Sequence, residues 1–103
     1  MDSEKIYAVE ISTVAFHDLN RHFFFLARVS EGAAVRLKKE LLDDIRSLQK
    51  MPHRYPKYEC RGAVLDKYRQ MISSSRYRVI YHVVENVVRV DWIEDCRQNN
   101  QHD

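Results

Sequence analysis

The stretch RYRVIYHVVENVVRVDW, Arg76 to Trp92, threads Arg78, His82 and Arg89 through a run of apolar residues. A guanidinium offers paired N–H donors that match a phosphate or carboxylate, and an imidazole exchanges its proton near neutral pH. The chemistry such a set could serve is the gripping of an anion, either a phosphate or an acidic partner. It requires the cations to share a face. If the chain turns tightly at Glu85-Asn86, a two-residue loop fixes the register. Val83 then opposes Val88, Tyr81 opposes Val90 and Val79 opposes Trp92, and these apolar pairs form the buried face. His82 across from Arg89, Ile80 across from Asp91 and Arg78 across from Ile93 fall on the other. Asn86 tolerates the positive φ that a primed turn needs.

The same alternation enlarges the basic face. In KYRQMIS, Lys67 to Ser73, placing Tyr68 and Ile72 beside the core residues sends Lys67, Arg69 and Met71 outward. Beyond Trp92, a strand that stays extended brings Asp95 and Arg97 to that outer side. The exposed sheet face then collects Arg69, Arg76, Arg78, His82, Arg89 and Arg97, with Asp91 as its main acidic interruption. A plainer reading stands beside this one, because an antiparallel sheet often keeps one face charged for solubility alone.

Other chemistry finds little support. His17, His22, His53, His82 and His102 contain no HxxxH or HExxH spacing, so no metal site is predicted. With two glycines, Gly32 and Gly62, there is no phosphate-cradling loop, and no cofactor is expected. Cys60 and Cys96 lack metal spacing, and without a recognisable signal peptide they read as reduced thiols in a cytoplasm. The run Phe23 to Ala27 is too short to span a bilayer. A net charge of +2 does not by itself imply nucleic-acid binding. The 103 residues, 45% hydrophobic and 31% charged, suit one soluble domain over the whole chain.

The elements that must carry these residues follow from periodicity. Lys5 to Ile11 is rich in β-formers and reads as a strand. Ser12-Thr13 offers an N-cap to a helix over Val14 to Val29, with Ala15, Leu19, Phe23 and Leu26 as its stripe and Asp18 complementing the helix dipole. Phe24 and Phe25 lie beside that stripe, as a partner surface or as packing for a second helix. After Ser30-Glu31-Gly32 that helix runs to about Lys50, with Ala34, Leu37, Leu41, Ile45 and Leu48 on one face. Pro52 and Pro56 end it. Glu59 to Asp66 fits no single pattern, and three strands joined by short turns complete the chain. The order strand-helix-helix-strand-strand-strand gives an α+β, two-layer domain: an antiparallel sheet with a helical hairpin on one face.

This order, the loop LQKMPHRYP and above all YRQMISSSRYRVIYHVVENVVRVDWIEDCRQN resemble the RelE/ParE superfamily, the toxins of bacterial type II toxin–antitoxin pairs. The likeness spans nearly the whole chain. It implies a sheet with two packed helices and a cognate antitoxin protein that covers the working surface. RelE-like and YoeB-like members cut messenger RNA on the ribosome, whereas ParE-like members poison DNA gyrase without hydrolysing anything. By resemblance, Arg78 matches the family's strand arginine, Arg97 its late arginine and Arg69 a basic residue on the preceding strand. Glu59 falls near the general-base glutamate of YoeB-like members. RNA cleavage also needs groups that move protons, and here the sequence departs from the pattern. Met71 stands where a second lysine is expected. Asn99 and Asn100, which cannot act as acid or base, follow Arg97 in place of the late His-Tyr or Tyr, and His102 is the one substitute acid. The implied function is a ParE-like toxin acting on a protein such as gyrase. The alternatives are a ribosome-dependent mRNA endoribonuclease using Arg78, Arg97 and Glu59, or a toxin fold that has lost toxicity.

Overall fold

Two serines start two helices in the computed structural model, which describes residues 5–60 and 63–97. Ser12 Oγ accepts from the Ala15 N–H to open α1 (Thr13–Ala27), and Ser30 Oγ accepts from the Ala33 N–H to open α2 (Glu31–Arg46). Each serine satisfies one of the donors that a helix start leaves unpaired. The stripes read from the sequence are the faces that pack: Ala15 and Leu19 on α1, and Ala34, Leu37, Leu41 and Ile45 on α2, are buried. Leu48 continues the second stripe through a 3-10 turn over Ser47–Gln49. A second 3-10 turn, Pro52–Arg54, leads off the helical layer. Among the described residues, no helix is long and apolar enough to cross a membrane.

The other layer is a five-stranded sheet of β1 (Ala8–Ile11), β2 (Lys57–Cys60), β3 (Ala63–Ser73), β4 (Tyr77–Val84) and β5 (Val87–Asp95), ordered β1-β5-β4-β3-β2. The two-layer α+β arrangement is the expected one. The sheet itself is mixed, because β1 runs parallel to β5 while the remaining pairs are antiparallel. No hairpin joins β1 to β5, so nothing local obliges them to run in opposite directions. β2 ends within the segment the sequence left unassigned, Glu59 to Asp66, and β3 begins within it; β2 is four residues long, and its register with β3 is broken between Lys57 and Tyr58.

Two register details overturn sequence expectations. Ser73 opposes Tyr77, so the β3–β4 loop holds three residues, with Ser74 and Ser75 both left-handed at φ 57° and 62°. One extra residue exchanges the faces of a strand. Met71 therefore opposes Val79 inside the core and Arg69 opposes Tyr81, while Tyr68 and Ile72 take the outer face. The β4–β5 hairpin keeps its predicted pairs at the tip, from Val84↔Val87 to Tyr81↔Val90, although Glu85 (φ 54°) rather than Asn86 is the left-handed residue of the turn. Beyond them Ile80 opposes Trp92 and Val79 opposes Ile93, which leaves Asp91 as an inserted bulge residue. Trp92 is consequently not in the core. It stands on the outer face at 38% exposure, and Ile93, at 1%, occupies the inner place.

α1 accounts for the bulge. β1 stops at Ile11↔Val90, so β5 beyond Val90 has an open edge whose backbone groups need partners. Asp18 Oδ2 accepts from the Ile93 N–H at 3.0 Å, and His22 Nε2 donates to the Ile93 carbonyl at 2.8 Å. Ser12 Oγ donates to the Asp91 carbonyl at 3.1 Å. Over this frame the core closes: Leu19, Leu37, Leu41 and Ile45 from the helices meet Met71, Tyr77, Val79, Tyr81, Val88, Val90 and Ile93. The buried Tyr81 hydroxyl donates to the Pro52 carbonyl at 2.6 Å, and burial pushes its pKa well above the ordinary phenol value.

This packing sets the outcome of two truncations. Ile93→Ala should lower unfolding stability by about 2–5 kcal/mol, the usual cost of a buried large-to-small change. Trp92→Ala should cost less than Ile93→Ala. Urea unfolding followed by circular dichroism distinguishes them, and a larger loss from Trp92 would contradict the bulge.

Candidate functional site

The outer sheet face holds a second, smaller cluster centred on Ile80, which is fully buried although it points away from the helices. Along β4 its same-face neighbours are Arg78 and His82; across the sheet stand Gln70 on β3 and Trp92 on β5. Tyr68 and Trp92 sit on strands two apart, yet their ring centroids are 5.1 Å apart, so the pair reaches over the strand between them. Tyr68 also meets the His82 ring edge-on at 5.4 Å. Toward the other end, Glu94 accepts from Arg78 Nη1 at 3.3 Å and from the Tyr58 hydroxyl at 3.2 Å. Three side-chain polar atoms in this cluster are shielded from solvent without a hydrogen-bond partner: Gln70 Oε1, Arg78 Nε and His82 Nδ1. His82 Nδ1 lies 3.1 Å from Asp91 Oδ2, close enough for an ion pair when the ring is protonated.

Of the six basic residues predicted to share this face, the structure brings three together. Arg78, His82 and Arg89 are on it, and each faces a carboxylate: Glu94, Asp91 and, for Arg89, Glu10 of the neighbouring β1 at 3.3 Å. Arg69 is on the helix side, because the longer β3–β4 loop reverses its strand, and it donates to the Tyr55 carbonyl at 2.6 Å. Arg76 and Arg97 are drawn to Asp95, which pairs with the core residue Tyr77. β5 ends at Asp95, so the extended continuation that would have carried Arg97 outward does not form. Glu59 is exposed on edge strand β2. Since its neighbour Tyr58 reaches Glu94 on the outer face, the alternation of the strand sends Glu59 to the opposite side from Arg78. Asn99, Asn100 and His102 lie outside the described residues, as does the side chain of Cys60.

Tyr58, Gln70, Trp92 and Glu94 join this cluster although strand alternation alone does not single them out. A signal for them exists in Ile80, an apolar residue amid an otherwise polar alternation, which calls for cover on both faces of β4. Asp18 and His22, spaced i, i+4 along the buried stripe of α1, were likewise legible as polar groups with buried partners.

Elsewhere, an open cleft of about 530 Å³ lies between Asp43, Arg46, Lys50 and Arg54 near the end of α2. Arg46 is engaged there by Asp43, and Arg54 donates to the Lys50 and Met51 carbonyls. Among the described residues, no three His, Cys, Asp or Glu side chains gather as metal ligands would.

Residues 9–99 match the family model described as the ParE toxin of type II toxin–antitoxin systems, parDE. Among solved structures, the fold resembles a chain of the chromosomal ParDE TA system from P. aeruginosa, with a TM-score of 0.72 and 10% identity over 88% of this chain and 97% of that one. It also resembles a chain of the toxin–antitoxin complex RelBE2 from Mycobacterium tuberculosis, with a TM-score of 0.55 and 20% identity over 92% of this chain and 97% of that one. No curated protein sequence matches it.

The Asp95 site generates a pH prediction. Burial by itself would raise the Asp95 carboxyl, but hydrogen bonds from the Arg76 guanidinium and the Arg97 backbone N–H outweigh it and hold the pKa below the ordinary value of 3.8. A carboxyl depressed in the folded state contributes stability above its unfolded pKa and loses it as pH falls through the folded one. Wild-type stability should therefore decline on acidification below about pH 4, the ordinary aspartate range. Asp95→Asn should be less stable at neutral pH and show a shallower decline. Equal slopes in urea titrations between pH 2 and 5 (a window around the reference carboxyl values) would refute the pairing.

Proposed function

The chain belongs to the ParE toxin family of type II toxin–antitoxin systems, and from that premise we propose that it arrests growth in the cytoplasm by binding an essential protein, such as DNA gyrase, rather than by cutting RNA. One observation carries this reading: the groups that cleavage would need are dispersed and already engaged. To steady a phosphate in flight, Arg78 would have to leave Glu94 and Arg97 would have to leave the neighbourhood of Asp95. Glu59, the one candidate base, projects from the opposite face of the sheet. Preorganised donors aimed at the developing charge are usually the largest element of such catalysis, and here the arginines are preorganised toward carboxylates.

A cognate antitoxin is the second partner in this proposal. Phe24 and Phe25 are 64% and 52% exposed on α1, and Phe16 and Val29 on the same helical layer are also exposed. Exposed apolar groups of this extent suit a protein contact, whereas the cations of the outer face are matched by the chain's own carboxylates. We place the antitoxin's anchoring contact on this helical layer. Its affinity should change little with added salt, since salt screens exposed charge pairs over roughly 8–10 Å and leaves apolar contact intact. Phe24→Ala should weaken the complex by roughly tenfold or more, the scale of an interface anchor. A steep salt dependence in calorimetric titrations would move the contact to a charged surface.

Induction in cells lacking the antitoxin tests the target. Replication should stall with a DNA-damage response, and Glu59→Gln should remain as toxic as the wild type. Defined cuts in ribosome-bound messenger RNA, slowed about a hundredfold or more by Arg78→Ala, would overturn the proposal in favour of an endoribonuclease.

A further inference from the structure

The outer-face cluster is built like a contact surface rather than a reserve of hydrophobic stability. A tryptophan adds most to a fold when it is inside, yet the Asp91 bulge turns Trp92 out and Ile93 in. Bulges that re-aim a side chain are a recurrent device at functional sites. Trp92 meets Tyr68 above Ile80 and His82, and tryptophan, tyrosine and arginine are the residues that most often dominate protein interfaces. Around them, Gln70 Oε1 is an acceptor without a donor and Arg78 Nε a donor without an acceptor, both shielded from solvent. Buried polar groups are almost always paired, so two exceptions on one patch point to something that pairs them.

The charge of the patch selects the occupant. Its cations are Arg78 and Arg89, each against a carboxylate; its carboxylates are Glu10, Asp91 and Glu94. Two stand against three. A nucleic-acid strand is held chiefly through uncompensated cations on its phosphates, which this face does not offer. A peptide backbone, by contrast, carries one donor and one acceptor per residue and no charge.

We propose that the Tyr68–Trp92 pair, with Gln70, Arg78 and His82 around Ile80, is the surface by which this toxin grips its protein target. The occupant is an uncharged stretch of that protein, packing an apolar side chain against the two rings. Its backbone donates an N–H to Gln70 Oε1 and accepts from Arg78 Nε–H as the rings part to admit it. Arg78 keeps its bond to Glu94 throughout and acts as a positioned donor. The inference rests on the protein-binding reading above and adds the site and the chemistry of the bound segment.

The test uses the full chain freed from its antitoxin, with purified DNA gyrase as the probe and inhibition of supercoiling as the readout. The wild type should inhibit. Trp92→Ala should raise the half-inhibitory concentration by roughly thirtyfold, the effect of losing an interface hot spot, and Trp92→Phe should restore most of it. Gln70→Met, which keeps the length and removes the acceptor, should raise it about tenfold if that buried hydrogen bond is made. Antitoxin affinity should be unchanged in all three, which also shows that each is folded. If the wild type inhibits and the folded variants inhibit equally well, the inference fails while the functional reading stands. If antitoxin affinity falls as far as inhibition does, the face belongs to the antitoxin and the inference again fails. A wild type without effect on gyrase removes gyrase as the target, and this inference with it.

Discussion

The N–H and C=O of Ile93 form the joint on which both layers of this protein close. β1 is too short to pair with β5 past Val90, and a buried strand edge cannot be left without partners. Asp18 and His22, one helical turn apart on α1, take the place of the missing strand. Their reach fixes how α1 lies over the sheet and holds Ile93 against the core. Ser12 ties the start of the same helix to Asp91, so the chain swells at that point and the two residues after it exchange faces. The arrangement is self-consistent. The serine that caps the helix also receives the bulge, and the buried stripe that carries Leu19 also carries the two polar groups that pay for the open edge.

That exchange of faces gives the molecule its two unlike surfaces. Inside, Ile93 completes an aliphatic layer between Val79 and the helices. Outside, Trp92 and Tyr68 close over Ile80, and the cations nearby are bound to the protein's own carboxylates. A sheet face with free arginines would attract polyanions broadly. One whose charges are matched internally relies on shape, aromatic area and a few directed hydrogen bonds, which are the means by which proteins recognise other proteins. The same internal pairing holds the Arg78 guanidinium against Glu94 and that of Arg76 against Asp95.

The helical layer, with Phe24 and Phe25 in solvent, is the other apolar surface. Two separate surfaces allow two separate partners. The helices and the outer sheet face lie on opposite sides of the core, so a protein anchored to one leaves the other accessible unless its chain continues around the edge.

Local periodicity was enough to find both helices and their buried stripes, because a 3.6-residue repeat depends on neighbours along the chain, and Ser12 was legible as the cap of the first. It was also enough to pair the tip of the β4–β5 hairpin, where a two-residue turn sets the register. The sequence likewise carried the family likeness. What it could not decide was which face each strand presents once a single residue is added. Ser74 to Arg76 form a three-residue loop where a shorter one would have kept Arg69 outside, and Asp91 is inserted where uninterrupted pairing would have buried Trp92. Arg69, Arg76 and Arg97 left the predicted basic face for that reason, together with the end of β5 at Asp95. The faces are settled by bonds between groups 71 to 79 residues apart, from Ser12, Asp18 and His22 to the last strand. Alternation along a strand is a local property and can be read from the residues, but its phase is set by whatever the strand's open edge must bind, and only the folded structure brings that partner into place.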